Sequence, residues 1–133
     1  MGRPKVFLIV DDDLDDIDFF RKAVNFIDGT NQCLVANNGE DALLQLRNKN
    51  IPIPDLIFLD LNMPRMNGRA CLSELKIDEE LKHIPVIIFS TSSHIKDVEE
   101  TKELGAYSFI TKPYQFKKLC VEIKSVLQKL YGV

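Results

Sequence analysis

The chain has 133 residues, of which 45% are hydrophobic and 28% charged, and its formal net charge is -3. That length fits a single domain with a sizeable core, spanning 1–133 without a second functional domain. The slight acidity gives no reason to expect the basic stripe that nucleic-acid binding demands, and three cysteines without C-x-x-C spacing speak against a disulfide framework or a zinc site.

The first apolar run, Val6-Phe7-Leu8-Ile9-Val10, ends on Asp11-Asp12. It is too short for a signal peptide or a membrane span, and Val6 stands where a myristoylation signal starting at Met1-Gly2 would need Ser or Thr. A cytoplasmic protein with reduced Cys33, Cys71 and Cys120 and no membrane insertion is expected. Leu14, Ile17, Phe20, Val24 and Ile27 then recur at helical spacing, and Asp28-Gly29 supplies a stop. Cys33-Leu34-Val35-Ala36 is a weaker strand closed by the turn signal Asn37-Asn38-Gly39. Ala42, Leu43 and Leu46 mark a second helix that Pro52 and Pro54 bring to an end. The strand Leu56-Ile57-Phe58-Leu59 stops at Asp60, and a loop from Met63 to Gly68 leads to a helix carrying Cys71, Leu72 and Leu75. After Pro85, the strand Val86-Ile87-Ile88-Phe89 stops at Ser90. A short helix around Ile95 and Val98 ends near Gly105. A fifth strand, Tyr107 to Ile110, precedes Thr111-Lys112-Pro113, and a long last helix carries Phe116, Leu119, Ile123, Leu127 and Leu130.

Continuous short apolar runs alternating with amphipathic helices predict a parallel sheet covered on both faces. The least apolar strands, the second and fifth, belong at the edges. Right-handed crossovers then give an α/β flavodoxin-like doubly wound (βα)5 sandwich of strand order 2-1-3-4-5. Such sheets bind ligands beyond the carboxyl ends of their strands. Asp11, Asp12, Asp60, Ser90 and Lys112 should therefore converge on one rim.

Asp13, Asp15, Asp16 and Asp18 are explained by a helix start, where carboxylates cap free N–H groups and complement the dipole. Asp11 and Asp12 lie one step before that helix and need another reason. A calcium loop counted from Asp11 fails, because Asp16 and Lys22 occupy the positions of its glycine and glutamate. Three carboxylates on one rim raise one another's pKa unless a cation joins them, and Mg2+ fits such a set. Ser90 can donate to a phosphoryl oxygen, although a lone strand-end serine is often a turn residue. Lys112 calls for an acidic partner, Asp60 or a phosphate, and the Lys112–Pro113 bond is a candidate for the cis form. His83 and His94 are read as surface residues, and Phe109 as a half-buried edge aromatic.

These segments together, Val10-Asp11-Asp12, Leu59-Asp60-Leu61-Asn62-Met63-Pro64 with Asn67-Gly68, Ser90 after Pro85-Val86, and Lys112-Pro113, resemble a response-regulator receiver domain of the chemotaxis-regulator type over essentially the full chain. The connection from Arg47 to Pro54 and the turn Asn38-Gly39-Glu40-Asp41-Ala42 are similar to single-domain regulators that partner bacterial phytochrome-like kinases. The resemblance implies a two-component signalling switch rather than a conventional enzyme, one that catalyses only its own phosphoryl transfer and slow autodephosphorylation. It implies Asp60 as phosphoacceptor, Asp12 as direct Mg2+ ligand, Asp11 acting largely through water and the Asn62 backbone carbonyl completing the metal site. Ser90 would be the switch hydroxyl, Lys112 the phosphate-sensing cation and Phe109 the aromatic switch. Implied partners are a histidine kinase or phosphotransfer protein and a downstream protein target, with homodimerisation left open. A serine at the Ser90 position, where the family more often has Thr, is a mild departure.

The rival readings fare worse. A haloacid-dehalogenase-type phosphatase needs an acidic pair after its lysine, and only Glu122 follows Lys112. A flavodoxin needs a phosphate loop where this chain has aspartates. The alternative that survives is a receiver-like interaction module that is never phosphorylated.

Overall fold

Each apolar run becomes a strand and each amphipathic stretch a helix in the computed structural model, which describes residues 3–132. Met1, Gly2 and Val133, and with them the ends of the expected domain and the myristoylation reading, lie outside the described residues. The order is β1 (Val6–Val10), α1 (Leu14–Ile27), β2 (Gln32–Ala36), α2 (Gly39–Arg47), β3 (Leu56–Leu59), α3 (Gly68–Ile77), β4 (Val86–Ser90), α4 (Ile95–Glu103), β5 (Ser108–Thr111) and α5 (Phe116–Tyr131). The strands form one parallel sheet of order β2-β1-β3-β4-β5.

Both faces of the sheet are buried, which is why the central strands read as unbroken apolar runs instead of alternating ones. Leu8, Val10, Ile57, Leu59, Val86 and Ile88 point to α2 and α3, where Leu43, Leu46, Leu72 and Leu75 cover them. The alternate residues Phe7, Ile9, Phe58, Ile87 and Phe89 point to α1 and α5 and meet Phe20, Val24, Leu119 and Ile123. Phe20 is fully buried against Phe58, with ring centroids 4.7 Å apart. Truncating such a ring costs about 3–5 kcal/mol, so the burial of Phe20 is a large part of a domain's margin. β2 and β5 are the half-buried edges that their composition predicts.

The structure departs from expectation at several points. β5 begins one residue later than predicted, at Ser108, and Tyr107 is exposed. Leu14 and Ile95 each open a helix whose first turn overhangs the strand ends, so both are 74% exposed instead of facing the core. The Lys112–Pro113 peptide is trans, the isomer X-Pro bonds prefer by about 0.5–1 kcal/mol when no turn demands the other. His83 and His94 are exposed, as read from the sequence. Cys71 and Cys120 are buried, Cys33 is half-buried, and all three are free. No helix among the described residues is long and apolar enough to cross a membrane.

Candidate functional site

The ladder hydrogen bonds run one residue past the ends of β1 and β3. The Asp11 N–H donates to the Ala36 carbonyl at 3.1 Å, and the Asp60 N–H to the Val10 carbonyl at 3.0 Å. Backbone pairing therefore sets Asp11 and Asp60 side by side at the carboxyl rim, with Asp12 next along the chain. Asp11, Asp12 and Asp60 each offer an oxygen, and these three atoms lie within 4.8 Å of one another. Asp11 and Asp60 are buried, while Asp12 faces solvent at the mouth.

Burial pushes the Asp60 carboxyl up to about 6; the Lys112 charge and the Leu61 N–H oppose the rise, and the Asp11 and Asp12 carboxylates add to it. Asp11 is raised for the same first reason, burial, despite hydrogen bonds from Lys112 and from the Asp13 N–H. A pocket that makes ionisation of its own carboxylates costly is one a divalent cation would relieve, and an all-oxygen donor set suits a hard cation.

Lys112 enters from the other side. Its N–H donates to the Ser90 carbonyl at 2.7 Å, extending the β4–β5 ladder. The ammonium lies 2.8 Å from Asp11 Oδ2, 2.8 Å from Asp16 Oδ2 and 3.8 Å from Asp60 Oδ1. Burial works against its charge, but the hydrogen bonds to Asp11 and Asp16 outweigh it and hold the pKa above the ordinary lysine value. The partner expected from sequence was Asp60 or a phosphate; the hydrogen-bonded partners are Asp11 and Asp16.

Asp16 is the residue sequence reasoning missed. By residue type and position it reads as a helix-start carboxylate, a role that Asp13 fills by accepting the N–H groups of Asp15 and Asp16 at 3.0 and 3.1 Å. Asp18 pairs with Lys22 at 3.0 Å, and Asp15 is exposed. The available signal was spacing: with Asp13 as cap, Asp16 is the third helical residue, one turn from Asp12.

Two further features shape the rim. Asn67 caps α3 by accepting the Ala70 N–H at 3.0 Å, and the Gly68 N–H donates to the Leu61 carbonyl at 2.9 Å. A Cβ on Gly68 would stand 2.2 Å from the Asp60 carbonyl oxygen, so only glycine lets α3 start against the back of that strand. Ser90 is fully buried, and its Oγ accepts the Ser92 N–H at 3.2 Å. Phe109 is half-buried against the α2–α3 side of the core, beside Ile88 on β4. Asn62 is exposed, two residues beyond Asp60.

Residues 7–124 match the family model described as the response regulator receiver domain. Response regulator Rcp1 of Synechocystis sp. is 32% identical over 127 residues, covering 92% of this chain and 86% of Rcp1. The crystal structure of the phosphorylated cyanobacterial phytochrome response regulator RcpA superposes with a TM-score of 0.88 at 31% identity, covering 98% of this chain and 97% of RcpA. The Mn2+-bound form of Rcp1 superposes with a TM-score of 0.82 at 32% identity, covering 98% and 97%. The acidic rim, the strand order and the match along nearly the whole chain lead to one family: this chain belongs to the response regulator receiver domains of two-component signalling systems.

Proposed function

We propose that the chain is a phosphorylation switch in which Asp60 receives a phosphoryl group from the phosphohistidine of a histidine kinase or phosphotransfer protein. The observation that carries this reading is the Asp60 carboxylate itself, set at a strand end between two further aspartates and a lysine ammonium. An Asp60 oxygen attacks phosphorus in line. The O–P bond forms as the N–P bond to the donor imidazole breaks, and the electron pair returns to that nitrogen, which takes up a proton. Asp11, Asp12 and Asp60, with the Asn62 carbonyl, are the groups that would hold Mg2+, whose charge would offset that of the phosphoryl oxygens. The Mn2+-bound state of Rcp1 supports a divalent cation here.

The chain's own residues then read the mark. Lys112 offers its ammonium to a phosphoryl oxygen. Ser90 turns its hydroxyl toward the same group and leaves the Ser92 N–H it now accepts, and Phe109 moves into the space released beside β4. That rearranges the α4–β5–α5 surface offered to a downstream protein. Water passing Asn62 and Ser92 slowly hydrolyses the acyl phosphate. Incubation with acetyl phosphate and Mg2+ tests the reading. One hydroxylamine-sensitive phosphoryl group should map to Asp60 and vanish in Asp60→Asn; label on Ser90, or label surviving the substitution, refutes it.

A further inference from the structure

An ammonium has three N–H donors, and Lys112 spends two of them on carboxylates at 2.8 Å, Asp11 and Asp16. The Asp60 oxygen, at 3.8 Å, is outside hydrogen-bond range although it is the group the lysine must serve. The lysine side chain is only 10% exposed, so its ammonium is largely shielded from solvent and its position depends on these carboxylates. Asp11 is buried at the end of β1, but Asp16 comes from a separate element, the first turn of α1, and is held there by the Asp13 cap.

We infer that Asp16 is a positioning residue for phosphoryl transfer: it draws the Lys112 ammonium off Asp60 in the resting state, leaving the nucleophile without a hydrogen bond from the lysine and one lysine N–H uncommitted to a carboxylate. The inference rests on the reading of Asp60 as phosphoacceptor. Without Asp16, a buried ammonium with one remaining carboxylate partner closes on Asp60, the nearest acceptor. A charge-assisted hydrogen bond then stabilises the Asp60 carboxylate in its ground state and draws electron density from the group that must attack phosphorus. A phosphoryl group built on Asp60 projects past the carboxylate, within reach of the third N–H, so the 3.8 Å spacing that is too long for the resting acid suits the modified one.

Charge alone predicts the opposite. Asp16 adds negative charge close to a site that receives an anion, and its removal would then favour phosphorylation. Two substitutions separate the effects, because Asn keeps an acceptor oxygen in place without the charge and Ala keeps neither. Phosphorylation by acetyl phosphate with Mg2+ is followed in the parent, Asp16→Asn and Asp16→Ala, with rate at saturating donor and KM measured separately. Binding of beryllium fluoride is titrated alongside by amide chemical shifts, which need no turnover. Asp16→Ala should lose roughly tenfold in rate at saturating donor and bind beryllium fluoride more weakly, and Asp16→Asn should retain most of both. Acceleration in both variants, or melting temperatures that fall with rates and beryllium fluoride binding unchanged, overturns the positioning role. A parent that takes no phosphoryl group at all sinks the Asp60 reading and this inference with it, whereas a labelled parent beside an unaffected Asp16→Ala rejects the inference alone.

Discussion

Arg69 at the start of α3 reaches across to α4 and pairs with Asp97, whose other oxygen takes the hydroxyl of Ser92. The same guanidinium donates from Nε to Glu100 one turn further along α4, at 3.2 Å. A fork of this kind, partly shielded from solvent, contributes more than a single surface pair. It joins the loop after β4 to the helix behind Asp60, so α4 is held by polar contacts rather than by the apolar packing of the other helices. Only Thr101 of α4 is fully buried.

Arg69→Ala should therefore loosen α4 selectively. Amide hydrogen exchange along Ile95–Glu103 should rise by about tenfold, and exchange in α1 and β3 should stay as in the parent, because contacts that set local opening need not set global stability. Uniform acceleration along the whole chain would place Arg69 in the general stability of the domain instead.

Gly68 offers a sharper test of backbone constraint. Its φ is not in the left-handed region, so the cost of a side chain is contact and not torsion; the added methyl would meet the Asp60 carbonyl oxygen at 2.2 Å and Leu61 Cα at 2.7 Å. Backbone atoms cannot step aside as a flexible side chain can. Gly68→Ala should lower stability by roughly 2–4 kcal/mol in urea titration. Gly29→Ala, where the nearest atom is 3.6 Å away, should lie within about 1 kcal/mol of the parent. Equal effects at the two positions would remove the close approach as the explanation.

The chain shows why strand ends are legible in a sequence and side-chain partners are not. Asp11, Asp60 and Ser90 each terminate an apolar run, and parallel pairing of covered strands leaves few ways to arrange those runs, so their convergence follows from pattern alone. The Lys112–Asp16 pair depends on the rotation of α1 about its axis, which is set by the Asp13 cap and by Phe20 packing on Phe58. Neither is visible in hydropathy. Leu14 misled for a related reason: periodicity assigns a helix face but not where that face runs out of core, and the first turn of α1 projects beyond the sheet. Asn38 and Asn67, which read as turn and loop residues in the sequence, cap α2 and α3 as Asp13 caps α1, each accepting an N–H of its own helix.

At the opposite end of the sheet, Asp55 sets a pH limit. Its carboxylate accepts the Val6 N–H at 2.7 Å and Arg3 Nη2 at 2.8 Å. Burial alone would raise its pKa, but these hydrogen bonds and the Arg3 and Lys5 charges prevail and hold it below the ordinary value. A carboxyl depressed in the folded state stabilises the fold above its unfolded pKa, about 3.9, and loses that contribution as pH falls through the folded value. Asp55→Asn should cost about 1 kcal/mol at pH 7, a figure kept small because Arg3 is largely exposed, and the difference from the parent should shrink as the pH is taken below about 4. A gap that persists unchanged in acid would assign the loss to packing.

Removing a rim carboxylate should act in opposite directions with and without a divalent cation. Burial and neighbouring carboxylates push Asp60 up to about 6, so the metal-free site destabilises the fold near neutrality. Asp12 belongs to that set, faces solvent, and can be shortened without opening a cavity. Asp12→Ala should therefore melt at or above the parent's temperature in EDTA. With Mg2+ the parent should gain stability by mass action, about 2.7 kcal/mol when the free ion is a hundredfold above its Kd. The variant, lacking one carboxylate of the set, should gain little over the same range. Mn2+ should behave as Mg2+ does, because the donor set is oxygen throughout and relies on charge. Calorimetric melting of both proteins over a Mg2+ series decides the matter: equal upward shifts in parent and variant would mean that the cation binds elsewhere and that the three carboxylates share the rim for another reason.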